Sequence, residues 1–483
     1  MATVPVAAPT IPPMDLWRLS ATELLDGYAS GAFSCAEAVA DVVAHIRAHN
    51  PSLNALVVDL GDEAAVAARG ADEARARGDA LGPLHGVPAT IKQNIDVSGQ
   101  PTPNGLPALK DNVAPDDSAV TANLRRAGAV FVGRTNVPEL SMRFTTANPL
   151  EGRTVNPWHP EASPGGSSGG AGAAAAAGFG PLHHGNDIAG SLRVPAWCNG
   201  VVTIKPSQGR LPAFNPTATA ERGLLAGLMS CQGIIARTVA DVRLATRAMA
   251  QRDPRDPWWS PAPFDGPALP TPIRVAVTTN PHGYAIDERV AALVDRAAAL
   301  LADAGYAVEA VEPPPITEPA GGWMSAGITE IKLTLDESVR RHGSDELGAI
   351  FDAYYDMGEL LDLAGYRAVL SDRTRMMRSW SLFQEDHPLV LSPLLIRAWF
   401  PWDYDAQGPA AVRDLFDSAI YSYGVNFLGL PAGIVPMDLV DGLPVGVQLI
   451  GPRYREDLVL DAMEEVESRA GSVLDRLWST WPT

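Results

Sequence analysis

The stretch that organises this chain reads PGGSSGG at residues 164–170 and GNDIAGSLRVPA at residues 185–196, with an Ala/Gly-rich segment between them. Glycine loses more backbone entropy on folding than any other residue. Glycines therefore cluster where the backbone takes unusual dihedral angles or closely approaches another group. Serines in such turns present hydroxyls beside free backbone N–H groups, a pairing that suits a nucleophile with an oxyanion-binding site. The serines of interest are Ser167 and Ser191.

Three short motifs compete as interpretations of the glycines. Residues 165–169 match the Gly-x-Ser-x-Gly nucleophile elbow, which needs a hydrophobic strand directly before its serine. Residues 156–164 read NPWHPEASP and cannot form such a strand. Residues 170–175 resemble a dinucleotide-binding fingerprint but lack its strand for the same reason. No Lys-Ser/Thr pair follows the glycines, which argues against a phosphate-binding Walker loop.

A second set of candidates consists of His183 and His184, which precede Ser191 in the sequence. Either histidine is a possible general base, but a core or surface histidine is the favoured interpretation. The pair supplies too few ligands for a metal site. The three cysteines contain no Cys-x-x-Cys pair, so neither a zinc knuckle nor a disulfide framework is indicated. We expect no metal and no cofactor.

Upstream, residues 87–91 form a short apolar strand that ends at Lys92. A lone lysine at such a position is usually a solvated charge. The neighbouring Ile91 and Ile95 make burial plausible here. Burial lowers the pKa of a lysine, which is how a lysine becomes a base.

Composition limits the class of protein. The chain has 483 residues, with 46% hydrophobic and 19% charged residues, and a net charge of -19. This composition is globular, and the negative charge disfavours nucleic-acid binding, which needs clustered Lys and Arg. The sequence contains no apolar run of about 18 residues, the length that would predict a membrane-spanning helix. We expect a soluble cytoplasmic protein, monomeric or homodimeric, with a small-molecule substrate and neither nucleic-acid nor membrane partners.

Local patterns predict alternating helices and strands, which is typical of α/β layering with parallel strands. Capping boxes at Ser20 and Ser34 each open a helix, the second stopping before Pro51. Further helices are predicted at 62–78, 118–127, 287–304 and 456–468, the last of the chain, and residues 323–404 are expected to be mostly helical. Strands are predicted within 53–60 and at 130–135, 201–205, 274–278 and 306–311, with a hairpin at 430–450.

The longer pattern is more specific than any of the short motifs. Lys92 after its strand, GGSSGG, GxDxxGSxRxPA, Lys205-Pro206-Ser207 and GLPVGVQ at 442–448 occur in that order. This order resembles the amidase signature family over roughly residues 20–250 and 420–470. The resemblance implies an α/β fold with a large mixed sheet flanked by helices on both sides. It also implies an N-terminal lead at 1–19, a single domain at 20–483 and a variable, substrate-selecting segment at about 252–420.

The same resemblance implies roles for individual residues. Ser191 would be the acyl-accepting nucleophile, Ser167 a proton relay that follows a cis peptide at Gly166, and Lys92 the base. The oxyanion hole would consist of the backbone N–H groups of Ile188, Ala189, Gly190 and Ser191. Structural support would come from Gly166, Ser168, Asp187 and Arg193, the last two as a charge pair. No cofactor is implied.

Three residues depart from the family pattern. Gln93 stands in place of the usual Asp, which removes a negative charge beside Lys92 and should ease its deprotonation. Asn186 replaces a common Thr. Ala189 replaces the first glycine of Gly-Gly-Ser, which constricts the loop or requires a negative φ there. None of the three removes a catalytic atom.

The expected activity is hydrolysis of C–N bonds in amides, with aryl amides, carbamates (urethanes) and esters chemically open. The eleven aromatic residues between 323 and 404 favour a bulky or aromatic substrate, although most of them should be core residues. One alternative is the amidotransferase subunit that acts with partner subunits on charged tRNA. Another is a non-catalytic binding protein with the same fold, against which the intact Lys92, Ser167 and Ser191 argue.

Overall fold

The structure is a computed structural model that describes residues 15–279 and 283–480. Its helices are α1 (Ala21–Ser30), α2 (Cys35–Leu53), α3 (Gly61–Arg77), α4 (Ala119–Arg126), α5 (Gly169–Ala176), α6 (Arg193–Asn199), α7 (Leu224–Met229), α8 (Val239–Met249), α9 (Glu288–Asp303), α10 (Thr317–Gly322), α11 (Ile328–His342), α12 (Asp345–Tyr355), α13 (Leu363–Asp386), α14 (Pro409–Ser418), α15 (Ile420–Leu428), α16 (Glu456–Ala470) and α17 (Leu474–Trp478). A π-helical turn, Trp323–Gly327, joins α10 to α11. Short 3₁₀ turns occur at Leu16–Arg18, Pro107–Leu109, Glu139–Ser141 and Tyr404–Gln407.

The strands are β1 (Leu56–Asp59), β2 (Pro88–Lys92), β3 (Val130–Thr135), β4 (Ala147–Asn148), β5 (Gly152–Arg153), β6 (Leu182–Asp187), β7 (Val202–Lys205), β8 (Cys231–Ala236), β9 (Arg274–Val277), β10 (Ala307–Glu309), β11 (Leu389–Ser392), β12 (Ala432–Val440) and β13 (Leu443–Ile450). Eleven of them form one sheet in the order β1-β3-β2-β6-β8-β7-β12-β13-β11-β9-β10. The pairs within β3-β2-β6 and β11-β9-β10 are parallel, and the others are antiparallel. The prediction of a large mixed sheet is confirmed. The local patterns predicted parallel strands, and these occur in only two parts of the sheet.

Helices cover both faces of this sheet. Successive residues of β12, Ile434 and Val435, belong to different hydrophobic clusters, because side chains alternate between the faces of a strand. Helices α10 to α15 contribute to the cluster around Ile434, and α8, α9 and α16 to the cluster around Val435. Among the described residues, no helix combines the length and the apolar character that crossing a bilayer requires.

The N-terminal helices begin as predicted, but one of them ends later. Both capping boxes are present, at Ser20 and Ser34. The prediction that α2 stops before Pro51 is wrong, because the helix includes Pro51 and ends at Leu53. The fixed φ of proline is compatible with helical backbone, so the end is set instead by Asn54, which adopts a left-handed conformation (φ 50°). Of the predicted lead at 1–19, residues 1–14 lie outside the described residues, and Leu16–Arg18 form a 3₁₀ turn.

Several elements are absent from the sequence-based prediction, among them β6, β11 and the terminal helix α17. The helix at 456–468 is therefore not the last, and residues 323–404 also contain a strand. Strand β6 matters most, because it pairs in parallel with β2, with Ala89 opposite Leu182. The carboxyl ends of parallel strands lie at the same edge of a sheet. Strand β2 ends at Lys92 and β6 ends at Asp187, so the fold brings the lysine and the glycine-rich loop together.

Candidate active site

A cavity of about 510 Å³ opens beside the glycine-rich loops. Ser191, partly buried, lines it together with Gly166, Ile188 and Ala189. The remaining wall is largely apolar and aromatic, and it includes Met142, Phe144, Met229, Trp323, Tyr354 and Phe416. Such a lining is typical of a site for a small, mostly apolar ligand.

Lys92 is completely buried at the end of β2. Its Nζ donates to Ser167 Oγ at 2.8 Å and to Asn186 Oδ1 at 2.7 Å. Burial lowers the pKa of Lys92 well below its usual range, and the more distant charge of Asp187 opposes this only in part. A neutral amine hydrogen-bonded to a serine hydroxyl is a base next to a proton donor.

Ser167 follows a cis peptide bond, Gly166–Ser167, at the position where the resemblance implied one. Gly166 is packed so closely that a Cβ atom there would lie 2.3 Å from the carbonyl oxygen of Arg143. Only glycine fits this position. The next residue, Ser168, donates to the carbonyl oxygen of Asn186 at 3.4 Å and precedes α5. Ser167 is therefore joined to the end of β2 through Lys92, and Ser168 to the end of β6.

Asp187 and Arg193 brace the loop between β6 and α6. Both side chains are fully buried, and Arg193 Nε lies 3.1 Å from Asp187 Oδ2. The same carboxylate accepts from the backbone N–H groups of Gly190 at 2.8 Å and Leu192 at 3.1 Å. Burial alone would raise the pKa of Asp187, but the charge and hydrogen bonds of Arg193 outweigh it and lower the pKa to about 2. The loop thus folds around a carboxylate that is ionised at neutral pH.

The backbone N–H groups of the loop do not all point the same way. The N–H of Gly190, one of the predicted oxyanion donors, is engaged by Asp187, since the carboxylate lies inside the turn. Those of Ile188, Ala189 and Ser191 have no acceptor within residues 15–279 and 283–480. The carbonyl groups of Ile188 and Ala189 are held from outside the loop, by Trp323 Nε1 at 3.1 Å and by Ser422 Oγ at 2.8 Å.

Comparison with known proteins agrees with this arrangement. The family model described as "Amidase" matches residues 37–460. The chain belongs to the amidase family. As an amidase-signature hydrolase it acts on amides, and the resemblance identified from the sequence motifs is confirmed.

Curated relatives and solved structures match nearly the whole chain. An indoleacetamide hydrolase of Bradyrhizobium diazoefficiens is 48% identical over 466 residues, covering 96% of this chain and 89% of the relative. An acylamidase of Rhodococcus erythropolis is 34% identical, covering 94% and 96%. The structure of a bacterial aryl acylamidase of the amidase signature family superposes with a TM-score of 0.82 at 26% identity, covering 96% and 99%. The similarity therefore includes the segment at 252–420.

The three departures from the family pattern take defined positions in this amidase. Asn186 offers its amide oxygen to Lys92 and donates through Nδ2 to Asn94 Oδ1 at 3.1 Å. Gln93 donates instead to Glu151 Oε1 at 3.0 Å. Ala189 is not among the described residues with positive φ, and the positive φ of the turn falls on Gly190 (123°). The methyl group of Ala189 therefore fits without a left-handed conformation.

The two histidines before Ser191 are core residues of the amidase, as favoured from the sequence. His183 Nδ1 lies 2.9 Å from Thr90 Oγ1, and His184 Nε2 lies 3.1 Å from Gln232 Oε1. Burial lowers the pKa of each to about 3, so both are neutral near pH 7. Neither lines the cavity.

Sequence reasoning missed several residues around the cavity of the amidase. Of the eleven aromatic residues between 323 and 404, Trp323 and Tyr354 line the cavity, whereas Phe144 and Phe416 come from outside that segment. Glu330 also lines the cavity, and no local motif marks it. Within the described residues, no three His, Cys, Asp or Glu side chains group as metal ligands would.

Proposed function

We propose that the protein hydrolyses small aromatic carboxamides, arylacetamides in particular, through an acyl-enzyme on Ser191. The observation that carries this proposal is the hydrogen bond from the buried Lys92 to Ser167, beside a cavity that Ser191 lines. The 48% identity to an indoleacetamide hydrolase supports an arylacetamide as substrate. The aromatic wall formed by Trp323 and Phe416 supports the same class, because it offers flat apolar surface to a ring.

The first step of the proposed mechanism is attack on the amide. Neutral Lys92 accepts the proton of Ser167 while Ser167 accepts the proton of Ser191. The Ser191 oxygen then bonds to the carbonyl carbon, and the C=O electron pair moves onto oxygen. Free N–H groups of Ile188, Ala189 and Ser191 would stabilise that oxyanion. Losing one such donor typically raises the activation free energy by about 2.7–4 kcal/mol. Gly190 shapes the loop rather than donating, because Asp187 already engages its N–H.

The second step releases the amine and then the acid. The proton returns from Lys92 through Ser167 to the amide nitrogen, the C–N bond breaks, and ammonia or an amine leaves. Water then attacks the ester carbon of the acyl-enzyme and gives up its proton through the same relay. The bond to Ser191 breaks, Ser191 regains its proton and a carboxylic acid departs. The relay needs Lys92 neutral at the start of each half-reaction, which burial provides.

N-aryl amides are a second candidate class. The 34% identical acylamidase and the superposed aryl acylamidase both favour it. Esters and carbamates (urethanes) follow the same acyl-enzyme route with a different leaving group. The amidotransferase alternative has weaker support, since such a subunit from Moorella thermoacetica is 32% identical and the net charge of -19 disfavours binding tRNA.

Hydrolysis of matched acyl donors tests the substrate class. We expect the highest kcat/KM for indole-3-acetamide within a panel that also contains an anilide, an aliphatic amide, an ester and a phenyl carbamate. If the wild-type protein hydrolyses no amide in the panel faster than a Ser191→Ala variant does, the proposal fails.

Covalent trapping tests the roles of the two serines. A fluorophosphonate probe should add its mass to a Ser191 peptide in the wild-type protein and in Ser167→Ala, but not in Ser191→Ala. Adducts on Ser167 would reverse the assignment of nucleophile and relay.

A further inference from the structure

Glu330 is a buried carboxylate in a cavity wall that is largely apolar. It lies on α11 and is 8% exposed. Three other charged side chains line the cavity. Arg143 is neutralised by ion pairs with three carboxylates, Asp405 among them. Glu221 and Arg222 are exposed.

The carboxylate of Glu330 is fixed but not saturated. Its Oε2 accepts from the backbone N–H of Leu225 at 2.9 Å and from the hydroxyl of Tyr366 at 2.5 Å, and its Oε1 accepts from the N–H of Ala226 at 2.7 Å. A Cβ atom at Gly223 would lie 2.3 Å from the carboxyl group, so the group cannot swing in that direction. A carboxylate has about four acceptor positions. Within the described residues, one position on Oε1 is left for a ligand.

The location of Glu330 suits the far end of a bound arylacetamide. Trp323, Gly327 and Glu330 line the cavity in turn along one helical surface. Trp323 contacts the carbonyl group of Ile188, next to the Ser191 loop. At 1.5 Å per residue, Glu330 lies roughly 10 Å further along the helix. In indole-3-acetamide the ring N–H lies about 5 Å from the carbonyl carbon, so with a hydrogen bond of about 3 Å it reaches an acceptor roughly 8 Å from that carbon.

We propose that Glu330 accepts a hydrogen bond from an N–H group on the ring of the substrate, and so selects N–H heteroaromatic amides. This inference rests on the proposed function and narrows its substrate class. The ring stacks against the aromatic wall while its N–H meets the buried carboxylate of Glu330. A substrate with a carboxylate at the same end is repelled, because two like charges would share an apolar site.

The test compares two substrates that differ in one atom. Indole-3-acetamide carries the ring N–H, and benzothiophene-3-acetamide has sulfur in its place and nearly the same shape. Hydrogen bonds to charged groups contribute about 1.5–3 kcal/mol, so we expect the wild-type protein to favour the indole by about 10- to 100-fold in kcat/KM. In Glu330→Gln the ratio should fall toward one, mostly through loss on the indole. Glu221→Gln, at an exposed carboxylate of the same cavity, should keep the wild-type ratio.

The outcomes separate this inference from the function on which it rests. Equal hydrolysis of both amides by the wild-type protein would overturn the role of Glu330 and leave the arylacetamidase proposal intact. That measurement needs no variant, so it stands even if Glu330→Gln folds poorly. A loss of equal proportion on both substrates in Glu330→Gln would mean that Glu330 only holds the first turn of α7. Failure to hydrolyse either amide would overturn both proposals.

Discussion

Lys92 and Arg193 are both completely buried, yet their surroundings differ in charge. Arg193 is paired with the Asp187 carboxylate at 3.1 Å and donates to Gln448 Oε1 at 2.9 Å. Lys92 has two neutral oxygen partners, Ser167 Oγ and Asn186 Oδ1. Burial without a carboxylate in contact favours the uncharged amine, whereas a guanidinium stays charged and needs its counter-ion.

The contrast teaches how one site obtains both rigidity and reactivity. The Asp187–Arg193 pair fixes the loop that carries Ser191, and breaking such a pair leaves an uncompensated charge in the interior. Because no carboxylate contacts Lys92 and burial lowers its pKa, more of its amine is neutral and able to accept a proton in the proposed mechanism. A carboxylate in contact with Lys92 should therefore keep its amine charged, as Asp187 does for the guanidinium of Arg193.

The largest effect is expected from removing the amine. Lys92→Met should lower kcat/KM for an arylacetamide by at least about 100-fold, because general base catalysis typically contributes 10²–10⁴-fold. The side chain is buried and methionine is of similar length, so the fold should persist. Steady-state kinetics near pH 8, with circular dichroism as a check on folding, measure this.

The matched control is Lys205, a second fully buried lysine whose pKa burial also lowers. Its Nζ donates to the carbonyl oxygen of Pro206 at 3.0 Å, and it does not line the cavity. Lys205→Met should keep most of the activity. Comparable losses in the two variants would mean that burying any lysine in this core matters, and that Lys92 is not the base.

Removing the other buried cation should act mainly on stability. Arg193→Met leaves the Asp187 carboxylate unpaired in the core, which typically costs about 3–5 kcal/mol of unfolding free energy. Urea denaturation followed by fluorescence measures the loss. The double variant Arg193→Met/Asp187→Leu removes both charges and should recover a large part of it. No recovery would argue that hydrogen bonds to the loop backbone, rather than charge pairing, hold Asp187 in place.

A carboxylate placed on Lys92 should make it resemble Arg193. In Asn186→Asp the new carboxylate would stand where an amide oxygen now lies 2.7 Å from Nζ. An adjacent negative charge stabilises the ammonium form and raises the pKa of Lys92. Less of the neutral base is then present at pH 7, so activity should fall there and return as the pH rises. We expect the acidic limb of the kcat/KM profile to move upward by about 1 pH unit or more.

Asn186→Thr keeps a neutral oxygen at the same position and serves as the control. The acidic limb of its kcat/KM profile should fall at nearly the same pH as in the wild-type protein, below the usual pKa range of a lysine. An unmoved limb in Asn186→Asp would show that the limb reports a group other than Lys92.

Sequence reasoning identified Lys92 and the two serines more easily than strand β6, which ends at Asp187. Lys92 follows an apolar strand and the two serines stand among glycines, so local patterns mark all three. Strand β6 escaped prediction because its LHHGND sequence reads as a polar loop. Its histidines form hydrogen bonds with Thr90, Gly180 and Gln232, partners that only the fold supplies.

Residues that act across long sequence separations were beyond local patterns altogether. Glu330 and Phe416 line the same cavity as Ser191 only through the packing of α11 and α14. The sequence does indicate that aromatic residues accumulate after residue 323. It cannot distinguish Trp323, which lines the cavity, from Trp380, which is buried among core residues.

The smallest effect in this series concerns Gln93, whose departure from the family's usual Asp suggested an easier deprotonation of Lys92. Its side chain donates to Glu151 and not to Lys92 or Ser167, although it directly follows Lys92 in the chain. A carboxylate in Gln93→Asp would therefore act on the amine without direct contact, through a longer distance than in Asn186→Asp. We expect the acidic limb of its kcat/KM profile to move upward by less than about 1 pH unit, and by less than that of Asn186→Asp measured under the same conditions.

A larger shift from Gln93→Asp would mean that charge at a distance outweighs the direct partners of the amine, and that Asn186 is not what keeps Lys92 neutral. Because that carboxylate would also lie beside Glu151, the double variant Gln93→Asp/Glu151→Gln separates its effect on Lys92 from repulsion between the two acids.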